Sequence, residues 1–351
     1  MMVLVDATAL GDGSAMRGVG RYLRAVVSGL AVAEDVQMTM LTSGPVGGLP
    51  DSVRQVAVRR VDHHRVGPWV HDHLLSHEIA AQQADVFWSP AFTPPRSCGI
   101  PWVQTLHDLT PFVFPDPLLR RDARRWTKVG PRLRSAAAVI TVSHSSAKQA
   151  ERHLGIDPAR IRVIPLGVEA DFTPDASVPR SVPPRLLWVG SWGPHKGLAE
   201  AVGVSDLLRA EGSDHRLRIV GTQDAWQRAR IDEIVARAAH PDVIDVVGSV
   251  TDIVDEYRRA RLLLMTSRAE GFGLPVVEAR ACGCPVVAFD NTSLLEVIGT
   301  AGVLVPDGDV PAAAAAAAAV LASSEPPVDT SVPSWDACVM AHHDVLAGVA
   351  R

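Results

Sequence analysis

The sequence predicts an α/β protein of two doubly wound parallel-sheet domains, and three observations predict it. Short apolar runs alternate with helix-forming stretches along the chain, the order that parallel strands and crossover helices impose. The alternation breaks at residues 170–184, where Pro174, Pro179, Pro183 and Pro184 read as an inter-domain linker, and then begins again. A length of 351 residues supplies material for two cores. The predicted division is a first domain at 1–168, a linker at 169–184, a second domain at 185–332 and a last helix at 333–351.

In the first half, Met2-Val3-Leu4-Val5-Asp6 reads as a strand, followed by a small-residue loop at 7–17. Arg17-Gly18-Val19-Gly20-Arg21-Tyr22 opens a helix that runs to about Ala33. A dinucleotide fingerprint needs a third glycine near position 23, and Leu23 stands there, which disfavours a dehydrogenase. Gly18 and Gly20 still suit close approach of backbone to a phosphate or sugar; the alternative is a plain helix start. Val36 to Thr42 is a second strand, 43–70 is irregular, Trp69 to Gln83 is helical, and Ala84 to Trp88 is a strand. His73 and His77 fall four apart on that helix, but no carboxylate is set where a zinc site would want one, so no metal is expected. Pro101 to Leu106 is a strand ending in His107-Asp108-Leu109, and a loop after a parallel strand is where open sheets bind ligands. His107 reads either as a packing residue or as a functional one. Between Pro117 and Ala136 stand Arg120, Arg121, Arg124, Arg125, Lys128, Arg132 and Arg134 against the single acid Asp122. That is a solvated helix face or a contact with an anionic membrane surface or acceptor. Strand 138–142, helix 144–154 and strand 161–165 complete the half.

The second half repeats the scheme, with strands at 186–189, 216–220, 243–247, 262–265, 285–288 and 303–305. Asp307-Gly308-Asp309 precedes a helix and reads as a turn and cap rather than a metal pair. Two stretches carry chemistry. Gly190-Ser191-Trp192-Gly193-Pro194-His195-Lys196-Gly197 joins a strand to a helix and brings an ammonium to the helix start, which a diphosphate leaving group needs. The chain keeps only three lysines, Lys128, Lys148 and Lys196, so a lysine here suggests a need for its compact charge. Glu270-Gly271-Phe272-Gly273-Leu274-Pro275-Val276-Val277-Glu278 follows the apolar run 262–265 and leads into a helix. Its glycines permit close backbone approach, the new helix start offers N–H groups to an anion, and the two carboxylates can each grip a pair of hydroxyls. The bland alternative is a crossover with two incidental glutamates.

Composition bounds the rest. The chain is 47% hydrophobic and 21% charged, an ordinary globular balance, and its net charge of −5 lends no support to nucleic-acid binding. No run of about 18 apolar residues suggests a membrane span. The start, Met-Met-Val-Leu-Val-Asp, lacks the basic region of a signal peptide. Cys98, Cys282, Cys284 and Cys338 lack metal-site spacing, so reduced thiols and a cytoplasmic location are expected.

The nine-residue stretch 270–278, extended by Ala279-Arg280-Ala281-Cys282-Gly283-Cys284-Pro285, resembles the glutamate–seven residues–glutamate signature of retaining, nucleotide-sugar-dependent GT-B glycosyltransferases of family 4. The glycine turn at 18–22, His107-Asp108-Leu109, Ile164-Pro165-Leu166-Gly167-Val168 and the lysine loop follow in the family's order. The resemblance implies two Rossmann-like domains facing across a cleft, the last helix crossing back to the first. It implies a donor held mainly by the second domain: diphosphate under Lys196 and the 271–275 amides, sugar hydroxyls on Glu270, ribose on Glu278, and a nucleobase near 248–251. His107, Lys196 and Glu270 would be catalytic. Gly18, Gly20, Gly190, Ser191, Val250, Gly271, Phe272, Gly273, Leu274 and Glu278 would line the nucleotide sugar. No metal and no cofactor are implied; the donor would be a GDP- or UDP-linked hexose. The acceptor would be a hydroxyl of a glycan, a lipid-linked glycan or a small molecule, with peripheral contact at the inner membrane surface.

The family usually has an arginine after the first glycine of the lysine loop or before the lysine; here Ser191 and His195 stand there, with Arg268 or His195 as candidate substitutes. A histidine would make the grip pH-sensitive, its ordinary pKa being near ~6.5. That departure keeps open a catalytically weakened, nucleotide-binding protein of the same fold. An epimerase or phosphorylase-like enzyme without a separate acceptor stays open too.

Overall fold

A computed structural model describes residues 1–11, 18–58, 67–90, 94–221, 224–324 and 328–351, with the backbone alone at 11 and 67–73. By contact the chain divides into two compact units, Met1–Gly167 with Ser334–Arg351, and Val168–Pro333. Each is a parallel sheet with crossover helices, the α/β class that the alternating pattern predicts.

In the first unit the strands are β1 (Met2–Asp6), β2 (Gln37–Thr42), β3 (Arg54–Ala57), β4 (Val86–Ser89), β5 (Trp102–Leu106), β6 (Ala138–Thr141) and β7 (Ile161–Val163). Their order across the sheet is β3-β2-β1-β4-β5-β6-β7. β1, β4 and β6 read as near-continuous apolar runs because helices cover both faces of a parallel sheet. β3 corrects the expectation that 43–70 is irregular. It is an edge strand, mostly exposed, and Arg54-Gln55-Val56-Ala57 has no need of an apolar face. The helix expected from Trp69 begins earlier, at Gly67, where Pro68 suits a first turn.

Helix Trp335–Ala350 belongs to this unit and is capped by Ser334, whose side chain accepts from Ala337 N–H. It lies on helix Gly18–Leu30 so closely that a Cβ on Gly29 would stand 2.5 Å from Val339 Cγ2. Where the chain leaves β7, a Cβ on Gly167 would fall 2.1 Å from the Trp335 nitrogen. Gly167 requires glycine because a Cβ would run into backbone, and Gly29 because it would run into the branched Val339 side chain.

The second unit has β8 (Arg185–Val189), β9 (Arg216–Val220), β10 (Ile244–Gly248), β11 (Leu262–Met265), β12 (Val286–Asp290) and β13 (Val303–Pro306), in the order β10-β9-β8-β11-β12-β13. Leu186, Trp188, Leu217, Ile219, Leu262 and Leu264 join Ala313, Ala314 and Ala317 of helix Val310–Ala322 in one core. Small alanines let that helix sit close to the sheet, and Asp309 caps it through Ala312 N–H. Buried Glu256 accepts from Arg218 at 2.6 and 2.7 Å and from Arg185 at 2.8 Å, which ties β8 and β9 to helix Ile253–Arg259. Residues 170–184 are laced to this unit: Arg180 donates to the carbonyls of Arg258 and Gly283, and Arg258 to that of Thr173. No described helix is long and apolar enough to cross a membrane.

Candidate active site

The second sheet reverses its winding between β8 and β11, since β9 and β10 lie on one side of β8 and β11 to β13 on the other. Loops leaving the carboxyl ends of two such strands diverge and open the crevice that open α/β sheets use for ligands. β8 leads into residues 190–197 and β11 into 266–273, the two stretches the sequence singles out.

Backbone contacts tie the two loops together. Arg268 N–H donates to the His195 carbonyl at 2.7 Å, and the Thr266 hydroxyl to the Gly197 carbonyl at 2.7 Å. Gly197 has a left-handed φ of 67°, and a Cβ there would stand 1.8 Å from the Thr266 carbonyl oxygen. A Cβ on Gly221 would lie 1.9 Å from the carbonyl oxygen of Gly190, whose own N–H is bound to Val220.

This clamp brings Lys196 onto Glu270. The Lys196 ammonium donates to both carboxylate oxygens, at 2.7 and 2.9 Å. The lysine side chain is 27% exposed and the glutamate 9%. Glu270 is held on both sides by its backbone, its N–H on Thr292 Oγ1 at 3.0 Å and its carbonyl under the Ser293 hydroxyl at 3.0 Å. A carboxylate so enclosed is costly without a partner, and the ammonium supplies one. Both groups are poised for ligands of their own: the carboxylate accepts hydroxyl donors, the ammonium attracts anions.

The rest of the 270–278 stretch divides by role. Phe272 is buried, so its ring anchors the loop and leaves only backbone to meet a ligand. Gly273 caps helix Leu274–Ala281 with φ 104°, and Pro275 is its second residue, within the turn whose N–H groups lack helical partners. Gly271 is buried and Leu274 half-buried. Glu278 is only 3% exposed, and the Tyr257 hydroxyl donates to its Oε2 at 2.7 Å. Arg280, two residues on, is a buried structural cation, bound to the Val297 carbonyl at 2.7 Å and to Asp329 at 2.9 Å. Ser191 is half-buried, and Val250 lies two residues beyond β10, two strands from β8 in the sheet order.

Of the two candidate replacements for the missing arginine, Arg268 is already matched. Its guanidinium donates to Asp307 at 3.0 and 3.1 Å and approaches Glu200 at 3.5 Å. Asp307, expected only as part of a turn, also accepts from Asn291 at 2.6 Å. His195 folds back over Gly193, where a Cβ would stand 2.9 Å from its Cε1. Thr266, Asp307 and Tyr257 were not legible as site residues, because each acts on a partner distant in sequence.

The first sheet reverses its winding between β1 and β4, and His107 follows β5, beside β4. Gly18 opens helix Gly18–Leu30, Gly20 is buried in its first turn, and Tyr22 two residues later meets the His107 ring edge-on at 4.6 Å. His107 is half-buried overall, yet its Nε2 is enclosed and has no hydrogen-bond partner among the described residues. Burial, then the neighbouring His342, pushes its pKa down to about 4, against a Pro90 carbonyl that raises it. His107 is therefore a neutral imidazole near pH 7. His63 and His64 lie outside the described residues, as do the side chains of His71 and His73. His77 is 80% exposed beside Glu78. All four cysteines are free, and burial pushes the thiols of Cys282, Cys284 and Cys338 up to about 12, which leaves them inert.

Similarity to known proteins meets this geometry over both units. Residues 16–172 match the family described as Glycosyltransferase Family 4, and residues 183–323 match Glycosyl transferases group 1. The D-inositol 3-phosphate glycosyltransferase of Acidothermus cellulolyticus is 30% identical over 80% of this chain and 67% of its own length. The chain belongs to glycosyltransferase family 4. The O-antigen chain mannosyltransferase B of Escherichia coli is 26% identical over 85% of each chain. Sucrose-phosphate synthase from Thermosynechococcus elongatus shares the fold, with a TM-score of 0.74 and 19% identity over 100% of this chain and 95% of its own. The architecture is thus the GT-B type, and the chain is a family 4 glycosyltransferase.

Proposed function

We propose that this glycosyltransferase is a retaining, metal-independent hexosyltransferase that moves a mannosyl or glucosyl unit from a GDP- or UDP-linked sugar to a hydroxyl acceptor. The observation that carries the reading is the Lys196–Glu270 pair at the switch point of the second sheet. A nucleoside diphosphate sugar supplies what each half of that pair lacks once they part. Its diphosphate gives Lys196 an anion, and its sugar hydroxyls donate to Glu270. An anion alone would draw the ammonium away and leave the carboxylate enclosed without a partner. Glu278 would take the ribose hydroxyls, with Tyr257 holding its other side. The 270–274 backbone would follow the diphosphate, and 248–251, with Val250, would meet the nucleobase.

In the reaction the acceptor oxygen bonds to the anomeric carbon as the bond to the diphosphate oxygen breaks, both on one face of the sugar. The acceptor proton passes to the leaving phosphate oxygen, and Lys196 offsets the charge that develops there. His107 and the glycine turn at 18–20 would serve the sugar and acceptor from the first domain. The similarity to a mannosyltransferase of O-antigen chains supports a mannosyl donor and a glycan acceptor. A lipid-linked acceptor is supported by helix Arg120–Val129, where Arg120, Arg121, Arg124, Arg125 and Lys128 stand exposed next to Leu118, itself 54% exposed.

The test is the configuration of the product. With the donor that turns over, the coupling constant of the new anomeric proton should match that of the donor, and turnover should persist in EDTA. An inverted product, or activity lost in EDTA and restored by a divalent cation, would overturn the reading.

A further inference from the structure

The three residues that follow β12, Asn291, Thr292 and Ser293, are bonded to the loop that carries Glu270. Thr292 stands at φ 39°, in the left-handed region, where a β-branched residue is strained. Glycine would adopt that backbone without strain. A strained residue persists where its surroundings over-determine it, and such positions gather at functional sites.

The hydrogen positions around Thr292 follow from chemistry. Asn291 Nδ2 lies 2.8 Å from the Ser267 carbonyl and 2.6 Å from Asp307 Oδ1, and both of these oxygens accept. That fixes which end of the amide is nitrogen and turns Oδ1 toward Thr292 Oγ1, 3.0 Å away. The Thr292 hydroxyl therefore donates to Asn291 Oδ1, and its oxygen accepts the Glu270 N–H at 3.0 Å. The next residue, Ser293, donates to the Glu270 carbonyl at 3.0 Å. Arg268 extends the network to the lysine loop: its side chain donates to Asp307, and its N–H to the His195 carbonyl. The backbone of Glu270 is thus held through a directed chain in which the Thr292 hydroxyl is both acceptor and donor.

We propose that Asn291 and Thr292 are positioning residues for Glu270: they fix the backbone from which its carboxylate meets Lys196 and the donor sugar. The proposal rests on the reading of Glu270 as a group that holds the sugar hydroxyls. It accounts for threonine at a position whose backbone suits glycine, since glycine has no hydroxyl to accept the Glu270 N–H. Neither residue needs to touch substrate: Thr292 acts on the Glu270 amide, and Asn291 acts on Thr292. A misplacement of the carboxylate by about an ångström costs on the order of a hundredfold in rate.

The experiment uses the full-length enzyme and the nucleotide sugar that it turns over. Thr292→Val keeps the branching and the strain and removes the hydroxyl. It should lower kcat by between about tenfold and about a hundredfold, while the thermal shift given by UDP or GDP, whichever the donor carries, stays as in wild type. Thr292→Ser should keep the wild-type kcat. Thr292→Gly removes the strain together with the hydroxyl. It should melt above Thr292→Val yet be no more active, because activity follows the hydroxyl and not the stability. Asn291→Ala should lower kcat as Thr292→Val does, and the double variant should fall no further, since the two residues act as one unit. Wild-type kcat in Thr292→Val or in Thr292→Gly, or a Thr292→Ser variant as slow as Thr292→Val, would overturn the proposal. Full turnover by Glu270→Ala would refute the reading of Glu270, and the positioning role with it. Turnover lost in Glu270→Ala but intact in Thr292→Val would refute the positioning role alone.

Discussion

Gly197 shows how much of the site depends on single atoms. Its left-handed backbone and its contact with the Thr266 carbonyl leave no space for a Cβ, and that contact sets Lys196 over Glu270. Gly197→Ala should therefore destabilise the protein by at least about 2 kcal/mol in denaturant unfolding and abolish turnover. A wild-type unfolding midpoint would mean the loops are not clamped. The buried histidines make a second prediction. His107 and His342 have pKa values pushed down to about 4 by burial, so the unfolded chain binds protons that the folded one refuses. Stability is intact above the unfolded value of about 6.5 and falls as pH drops toward 4, by roughly 1.4 kcal/mol per pH unit for each histidine. Urea unfolding of wild type and His342→Gln between pH 7 and 4.5 should show a shallower slope in the variant; equal slopes would contradict the burial argument. At this scale the sequence singles out Lys196, Glu270 and Glu278 by residue type and spacing, and the structure pairs Lys196 with Glu270 and Glu278 with Tyr257. The sequence was silent on Tyr257, Thr266 and His342, whose partners lie 21, 69 and 320 positions away.

Elements were readable wherever burial imposes a pattern. β1, β4 and β11 are short apolar runs, and a parallel sheet covered on both faces demands them. β3 escaped because an edge strand owes nothing to the core. Residues 170–184 looked like a linker by their prolines. Arginine-to-carbonyl bonds instead fasten them to the second unit, an arrangement that composition does not reveal. The last helix was expected from sequence, but its fit against helix Gly18–Leu30 depends on Gly29 meeting Val339. Gly29→Leu should displace that helix, lower the melting temperature by several degrees and raise binding of a hydrophobic dye. An unchanged melting temperature would contradict the packing described.

For the whole molecule, the chain carries a net charge of −5 yet concentrates exposed cations on helix Arg120–Val129. Charges so placed act on association, with attraction to an anionic surface that salt screens. The enzyme should float with vesicles containing anionic lipid at low salt and be released at high salt, and R120E/R124E/K128E should lose the attachment. Flotation unaffected by these changes would exclude that helix as the contact. The second sheet reverses its winding between β8 and β11, and the lysine loop and the paired-glutamate stretch follow those two strands. That is why the GT-B architecture was legible in the sequence, while the acceptor was not. In the proposed reaction Lys196 and Glu270 separate around a nucleoside diphosphate sugar. The measurement to make is release of nucleoside diphosphate from a panel of nucleotide sugars, wild type beside Glu270→Ala. Wild type should release it from one donor and the variant from none. Equal release by both proteins, or no release and no thermal shift with any nucleotide, would contradict the proposed reaction.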